Sequence, residues 1–167
     1  GKLFFVARND SGRDPSKYKD IIFMEGKKVT DKYDNVDFLR DINGKLAFIA
    51  YSDYTKTKKI VVYDGQELGK DYDTVVGGLY DIDSKLTYIA KKDDKEFFVF
   101  DGKEIGKKHS LGPYGYLHSP IMVDGKFGYE VTWGHPIFDG IEIGKEFVDV
   151  YGLIDVGEKL AYGARDE

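Results

Sequence analysis

Apolar positions along the chain come in short bursts of two kinds. "IIFM" (21–24), "IVVY" (60–63) and "FFVF" (97–100) are unbroken, the pattern of strands buried on both faces. Each stops at a turn pair, Glu25-Gly26, Asp64-Gly65 or Asp101-Gly102. Such pairs suit two-residue hairpins because Gly tolerates positive φ. Shorter and more polar runs follow: "QELGK" (66–70), "KEIGK" (103–107) and "IEIGK" (141–145). They read as exposed edge strands, blunted by charge and brevity. A second landmark recurs between these turns. "INGKLAFIA" (42–50), "IDSKLTYIA" (82–90), "VDGKFGYEV" (123–131) and "VGEKLAYGA" (156–164) each leave a tight turn and run into apolar and aromatic residues, and "GKLFFVA" (1–7) aligns with them. No stretch carries the 3.6-residue period of a helix.

The landmarks keep a fixed spacing. Turn glycines Gly26, Gly65, Gly102 and Gly140 fall 39, 37 and 38 residues apart, which is the mark of a repeat architecture. The second unit predicts four strands, about Lys45–Tyr51, Lys59–Tyr63, Gln66–Lys70 and Thr74–Ile82. Four-stranded units with buried middles and polar outer edges are the pattern of β-propeller blades. The expected fold is therefore all-β: a single β-propeller domain, 1–167, of four-stranded antiparallel blades. Its units run approximately 1–43, 44–83, 84–124 and 125–156, with a partial unit 157–167. Residues 1–10 and 157–167 occupy the same place in the repeat, so four full periods of about 38 residues carry one extra strand. The count fits four to five blades, or a segment of a larger propeller. An unpaired terminal strand would expose an apolar edge and invite self-association.

The segment "LYDIDSKLTYIAKKDDKEFFVFDGKEIGK" (79–107) resembles the WD40-like, TolB-type (PD40-like) propeller repeats. Their core reads roughly S-P-D-G-K-x-I-A-F, followed by an I-Y-V-x-D strand. The resemblance extends over the whole chain, although the Ser-Pro before the turn is absent from units two and three. It implies a scaffold for binding proteins, peptides or glycans, a few relatives being enzyme domains. No catalytic motif of the family maps onto these residues.

Charge and composition narrow the partners. Net charge is −5, with lysines and aspartates interspersed. That disfavours nucleic acid and anionic membranes, which need a basic face. Thirteen Tyr, eleven Phe and twenty Gly lean toward β structure with many tight turns. The absence of Cys excludes disulfides and thiolate chemistry and leaves zinc only His and carboxylate. It suits a cytosol or a bacterial or archaeal periplasm, with the extracytoplasmic setting slightly favoured. No apolar run approaches the ~18 residues of a membrane span. The chain opens on a strand at Gly1 without Met, as expected of a processed or cut product. Asn9-Asp10-Ser11 matches a glycosylation sequon, as three residues often do by chance.

Departures from the repeat are where function is sought, because loops vary without loss of the scaffold. The stretch 107–120 with 132–136 departs most. It holds all three histidines (His109, His118, His135), the only Trp (Trp133), three of the four prolines, and Tyr114 and Tyr116. Those six residues are the candidate ligand-binding set, since aromatic rings with a few polar groups suit sugar or peptide recognition. The plainer reading is drift of the fourth unit, with Trp133 filling a core gap. The histidine spacing matches no metal motif. Asp41, Asp81 and Asp155 recur before turns, where each is expected to cap its own turn rather than join a cation ring. "DKYDNVD" (31–37) lacks the Gly and distal Glu of a calcium loop. The link from the landmark to the turn glycine shrinks along the chain, spanning 19, 15, 12 and 9 residues. The longest, 8–19, reads as a surface loop.

Catalytic patterns are sparse: there is no G-x-S-x-G and no phosphate-cradling loop. His118 and Ser119 are strand neighbours, expected on opposite faces and so unable to form a nucleophile–base pair. Carboxylate pairs for glycoside cleavage are numerous but carry no distances. The expectation is a non-catalytic scaffold binding protein or peptide, with no cofactor and no metal. The alternative is a carbohydrate-binding or glycoside-cleaving propeller using the aromatic and histidine residues of 109–136.

Overall fold

The computed structural model describes residues 2–9, 19–51, 58–112, 114–132, 134–145 and 147–165. Most of the 8–19 connection, and with it Asp10 and Ser11 of the sequon, lies outside them. The described residues are all β, without a helix, and form five small antiparallel sheets. Among the described residues no helix is long and apolar enough to cross a membrane.

The first sheet pairs β1 (Phe4–Asn9), β2 (Lys19–Met24) and β3 (Lys27–Thr30) in that order. The second runs β4 (Asn35–Ile42), β5 (Lys45–Tyr51), β6 (Lys59–Tyr63) and β7 (Gln66–Leu68). The third is β8 (Thr74–Ile82), β9 (Lys85–Lys92), β10 (Lys95–Phe100) and β11 (Lys103–His109). The fourth is β12 (Leu117–Val123), β13 (Lys126–Val131), β14 (Ile137–Phe138) and β15 (Ile141–Glu142); the last pairs β16 (Asp149–Asp155) with β17 (Leu160–Arg165). Each strand pairs with its sequence neighbour, and among the described residues the sheets do not join into a closed barrel. The chain divides into two compact units, Gly1–Leu79 and Tyr80–Glu167, with the boundary inside β8.

Turn chemistry explains the hairpins. Asp64 and Gly65 both take positive φ, 50° and 78°, the two-residue turn whose twist matches the strands it joins. The same pairing of angles recurs at Asn43-Gly44, Asp101-Gly102, Asp124-Gly125 and Asp139-Gly140. The polar third runs form sheet edges at β7, β11 and β15, as their composition requires.

Two expectations change. Thr74–Ile82, read as the close of the second unit, opens the next sheet as β8. Every complete sheet therefore combines the last strand of one period with the first three of the next. Reading "IIFM" as buried on both faces also fails, whereas "IVVY" and "FFVF" keep three consecutive buried residues each. In β2, Ile22 is buried but its neighbours Ile21 and Phe23 are only half-buried. On that outer face Phe23 stacks on Phe5, ring centroids 4.9 Å apart, and Phe5 remains 43% exposed.

The strands that open the later sheets carry a kink that periodicity did not predict. β4, β12 and β16 shift register at Asp37–Arg40, His118–Ile121 and Tyr151–Ile154. Left-handed residues stand at Phe38 (φ 55°), Ser119 (φ 50°) and Gly152 (φ 68°), each following by two a buried aliphatic, Val36, Leu117 or Val150. β8 has its counterpart in Gly77 (φ 75°), two after buried Val75. Such bulges leave backbone N–H groups outside the ladder and re-aim side chains.

An aromatic pair joins neighbouring sheets within each unit. Tyr33, seven residues after Gly26, meets Phe48 of β5 edge-on at 5.5 Å. His109, seven residues after Gly102, meets Tyr129 of β13 in the same way at 5.6 Å. Around them lie Ile22, Val36 and Val62 in the first unit and Phe98 and Phe127 in the second.

Candidate functional site

A cleft of about 530 Å³ opens in the Tyr80–Glu167 unit, lined by residues of β12, β13, β16, β17 and the segments flanking them. Its organising group is Glu130. At the equivalent place in their strands β5 and β9 carry Ile49 and Ile89, both buried. Glu130 is itself only 8% exposed, and a buried carboxyl group needs partners. One oxygen, Oε1, accepts from Gly152 N at 2.7 Å and Leu153 N at 3.1 Å. Those are the N–H groups that the β16 bulge frees. The other, Oε2, lies 3.2 Å from Nδ1 of His118, its direct partner in the β12–β13 register. Asp20 in the first unit works similarly. It is 2% exposed, accepts Val36 N at 3.0 Å, and takes Arg8 Nε at 2.8 Å as its cationic partner.

A carboxylate against Nδ1 favours the tautomer protonated there and leaves a lone pair on Nε2. Ser119 Oγ also lies 3.1 Å from Nδ1. Strand alternation predicted these neighbours on opposite faces; the positive φ of Ser119 within the bulge turns them together. The contact still makes no nucleophile–base pair, because Nδ1 is the nitrogen committed to Glu130.

Tyr116 borders the imidazole, with ring centroids 5.2 Å apart. Its backbone is fixed by Thr132, whose N and Oγ1 donate to Tyr116 O at 3.0 and 2.9 Å. His135 lines the same cleft, as do Tyr151 and Arg165. The rings of Tyr116 and Tyr151 are 56% and 54% exposed, so they offer apolar faces with a polar tip. Val131, Val148 and Val150 supply the apolar part of the wall.

Of the six residues singled out from the sequence, Tyr116, His118 and His135 meet in this cleft. Trp133 lies outside the described residues. Tyr114 is 82% exposed and is not part of the lining. His109 is elsewhere, with Nε2 2.9 Å from Tyr129 Oη, which also accepts Lys107 N at 3.0 Å. Burial pushes its imidazole below the ordinary value, Lys107 adding to the shift and Glu142 opposing it. His109 thus takes the aromatic place that Tyr33 holds two repeats earlier. Glu130, Tyr151 and Arg165 were missed. Glu130 had a signal, since it alone puts a charge where the aligned second strands carry Val6, Ile49, Ile89 and Gly163.

Among the described residues no three His, Asp or Glu side chains gather to hold a metal ion. Asp155 caps its own turn, accepting Glu158 N at 2.9 Å, while Asp41 Oδ2 lies 3.4 Å from Lys2 N. Comparison with protein-family models, with curated proteins and with solved structures finds no match to this chain.

Proposed function

We propose that the chain is a non-catalytic binding module of β-propeller type, akin to the WD40-like, TolB-type repeats, and that it binds a protein or peptide partner through the cleft around His118. Three successive four-stranded meanders with a period near 38 residues support the architectural part. The observation that carries the functional part is the convergence of Tyr116, His118, His135, Tyr151 and Arg165 on one cleft. A pocket of that size with apolar walls and a few fixed polar groups fits side chains of a bound segment. Binding is favoured over turnover because Ser119, the hydroxyl bonded to His118, touches the wrong nitrogen for activation.

Peptide-display selection followed by fluorescence anisotropy tests this reading. Selected peptides are expected to lose about tenfold or more in affinity with His118→Ala or Tyr116→Ala, as contacts at the centre of a binding site do. Peptides indifferent to both variants would remove the cleft from the account. The second reading, a carbohydrate site, is favoured by one observation: two half-exposed tyrosine rings flank the same cleft. Glycan-array binding lost with Tyr116→Ala and Tyr151→Ala, in the absence of any peptide ligand, would establish it instead. Self-association through the terminal strand is a separate proposal. It predicts a concentration-dependent dimer on gel filtration, and a monomer at every concentration rules it out.

A further inference from the structure

Of the lysines that open second strands and are followed by a hairpin turn, three follow one rule and Lys2 departs from it. Lys45, Lys85 and Lys126 each reach the Asp of the following Asp-Gly turn: Asp64 at 3.1 Å, Asp101 at 3.3 Å and Asp139 at 3.8 Å. Lys2 holds the same place in the repeat, but the residue at its turn is Glu25, whose Oε1 accepts Leu3 N at 2.6 Å. The Lys2 ammonium crosses instead to the next sheet and donates to Gly44 O at 2.8 Å. Its backbone N lies 3.4 Å from Asp41 Oδ2, and among the described residues the ammonium itself has no carboxylate partner.

Lys2 stands on the rim of a second cleft, about 450 Å³, within the Gly1–Leu79 unit. Leu46, Phe48 and Val62 supply buried apolar surface to its lining, and Val29, 46% exposed, forms part of its wall from the edge strand β3. Two further lysines share the rim, and both are answered within the protein: Lys45 by Asp64, Lys32 by Glu67. Among the described residues Asp64 is the one carboxylate of the lining, and Lys45 neutralises it. What remains among the described residues is an apolar cleft with one positive charge uncompensated at its mouth, on a chain whose net charge is −5.

We propose that this cleft binds an amphiphilic carboxylate: an apolar body against Leu46, Phe48, Val62 and Val29, with the carboxylate on the Lys2 ammonium. The complement is in both parts. Apolar surface gains from being covered, and a carboxylate supplies the kind of partner that Lys45, Lys85 and Lys126 have at this position. The proposal is independent of the His118 cleft, which belongs to the other unit.

Isothermal titration of the full chain with decanoate, and separately with decanol, tests it. Decanoate is expected to bind more tightly than decanol. Lys2→Gln should weaken decanoate about fivefold, the scale of an exposed charge contact, and leave decanol unchanged. Val29→Glu should abolish decanoate binding by setting a like charge in the wall. Lys85→Gln, at the equivalent position elsewhere, should bind as the parent does. Unchanged circular dichroism would show that each variant is folded. The proposal is overturned by absence of decanoate binding, by decanol binding as tightly as decanoate, or by equal losses in Lys2→Gln and Lys85→Gln. A dimer that Val29→Glu dissociates and decanoate does not displace would make a second copy the occupant and overturn it equally.

Discussion

Replacing Glu130 by Ile would restore the residue that β5 and β9 carry at this place, and repeat averaging would expect a gain. The structure predicts a loss. The aliphatic stem of Glu130 is already buried, so Ile adds only one or two covered methyl groups, about 1–1.5 kcal/mol. Against that, Gly152 N and Leu153 N lose their acceptor. Gly152 is exposed and its N–H can turn to water, whereas Leu153 is 7% exposed. A buried donor left unpaired costs about 1–3 kcal/mol, and bonds to a charged group are worth about 1.5–3 kcal/mol each. The net is about 2 kcal/mol of destabilisation for Glu130→Ile. Glu130→Gln keeps one carbonyl acceptor and should lose about 1 kcal/mol. Urea unfolding followed by the fluorescence of Trp133, the only tryptophan, reports the unit concerned. With slopes of about 1–3 kcal/mol per molar urea, the Ile variant's midpoint should fall by about 1 M. Amide exchange at Leu153 should accelerate alongside. An Ile variant as stable as the parent, with Leu153 exchange unchanged, would refute the reasoning.

Acid should act on the other unit through Glu67. Hydrogen bonds from Lys32 first, then Lys70 and Tyr33, hold its carboxyl at about 2, below its ordinary 4.5. A depressed carboxyl contributes stability that is complete above the unfolded value and fades as pH falls through the folded one. Melting temperature should therefore drop between pH 4.5 and about 2 more steeply for the parent than for Glu67→Gln; parallel curves would contradict this. His109→Phe keeps the edge-on aromatic contact with Tyr129 but removes a hydrogen bond. It should cost about 1 kcal/mol in urea unfolding and leave any ligand of the His118 cleft bound as before. A selective loss of binding would return His109 to the site.

What could be read from the sequence was what depends on neighbours a few residues away. Asp64-Gly65 declares its own turn, and "QELGK" declares an edge, because local backbone preference and local polarity suffice. "IIFM" could not be read, since burial of both faces is a property of the sheets around β2 rather than of its own residues. The bulges at Phe38 and Ser119 were hidden because neither residue type favours positive φ; only Gly77 and Gly152 hinted at them. Residues 107–136 were recognisable as the place where the repeat breaks, and half of the six named there do share a cleft. Arg165 and Tyr151 reach that cleft from strands that look regular, so nothing in their own sequence marked them.

In the proposed binding role, Glu130 holds His118 by Nδ1 and leaves Nε2 as the acceptor for a ligand. Long-range nitrogen–proton NMR on the neutral ring of His118 tests it most directly. The structure predicts the Nδ1–H tautomer in the parent, lost or mixed in Glu130→Ile, with the Nε2 resonance moving when a ligand fills the cleft. An Nε2–H tautomer in the parent, or an Nε2 resonance indifferent to ligand, would contradict it.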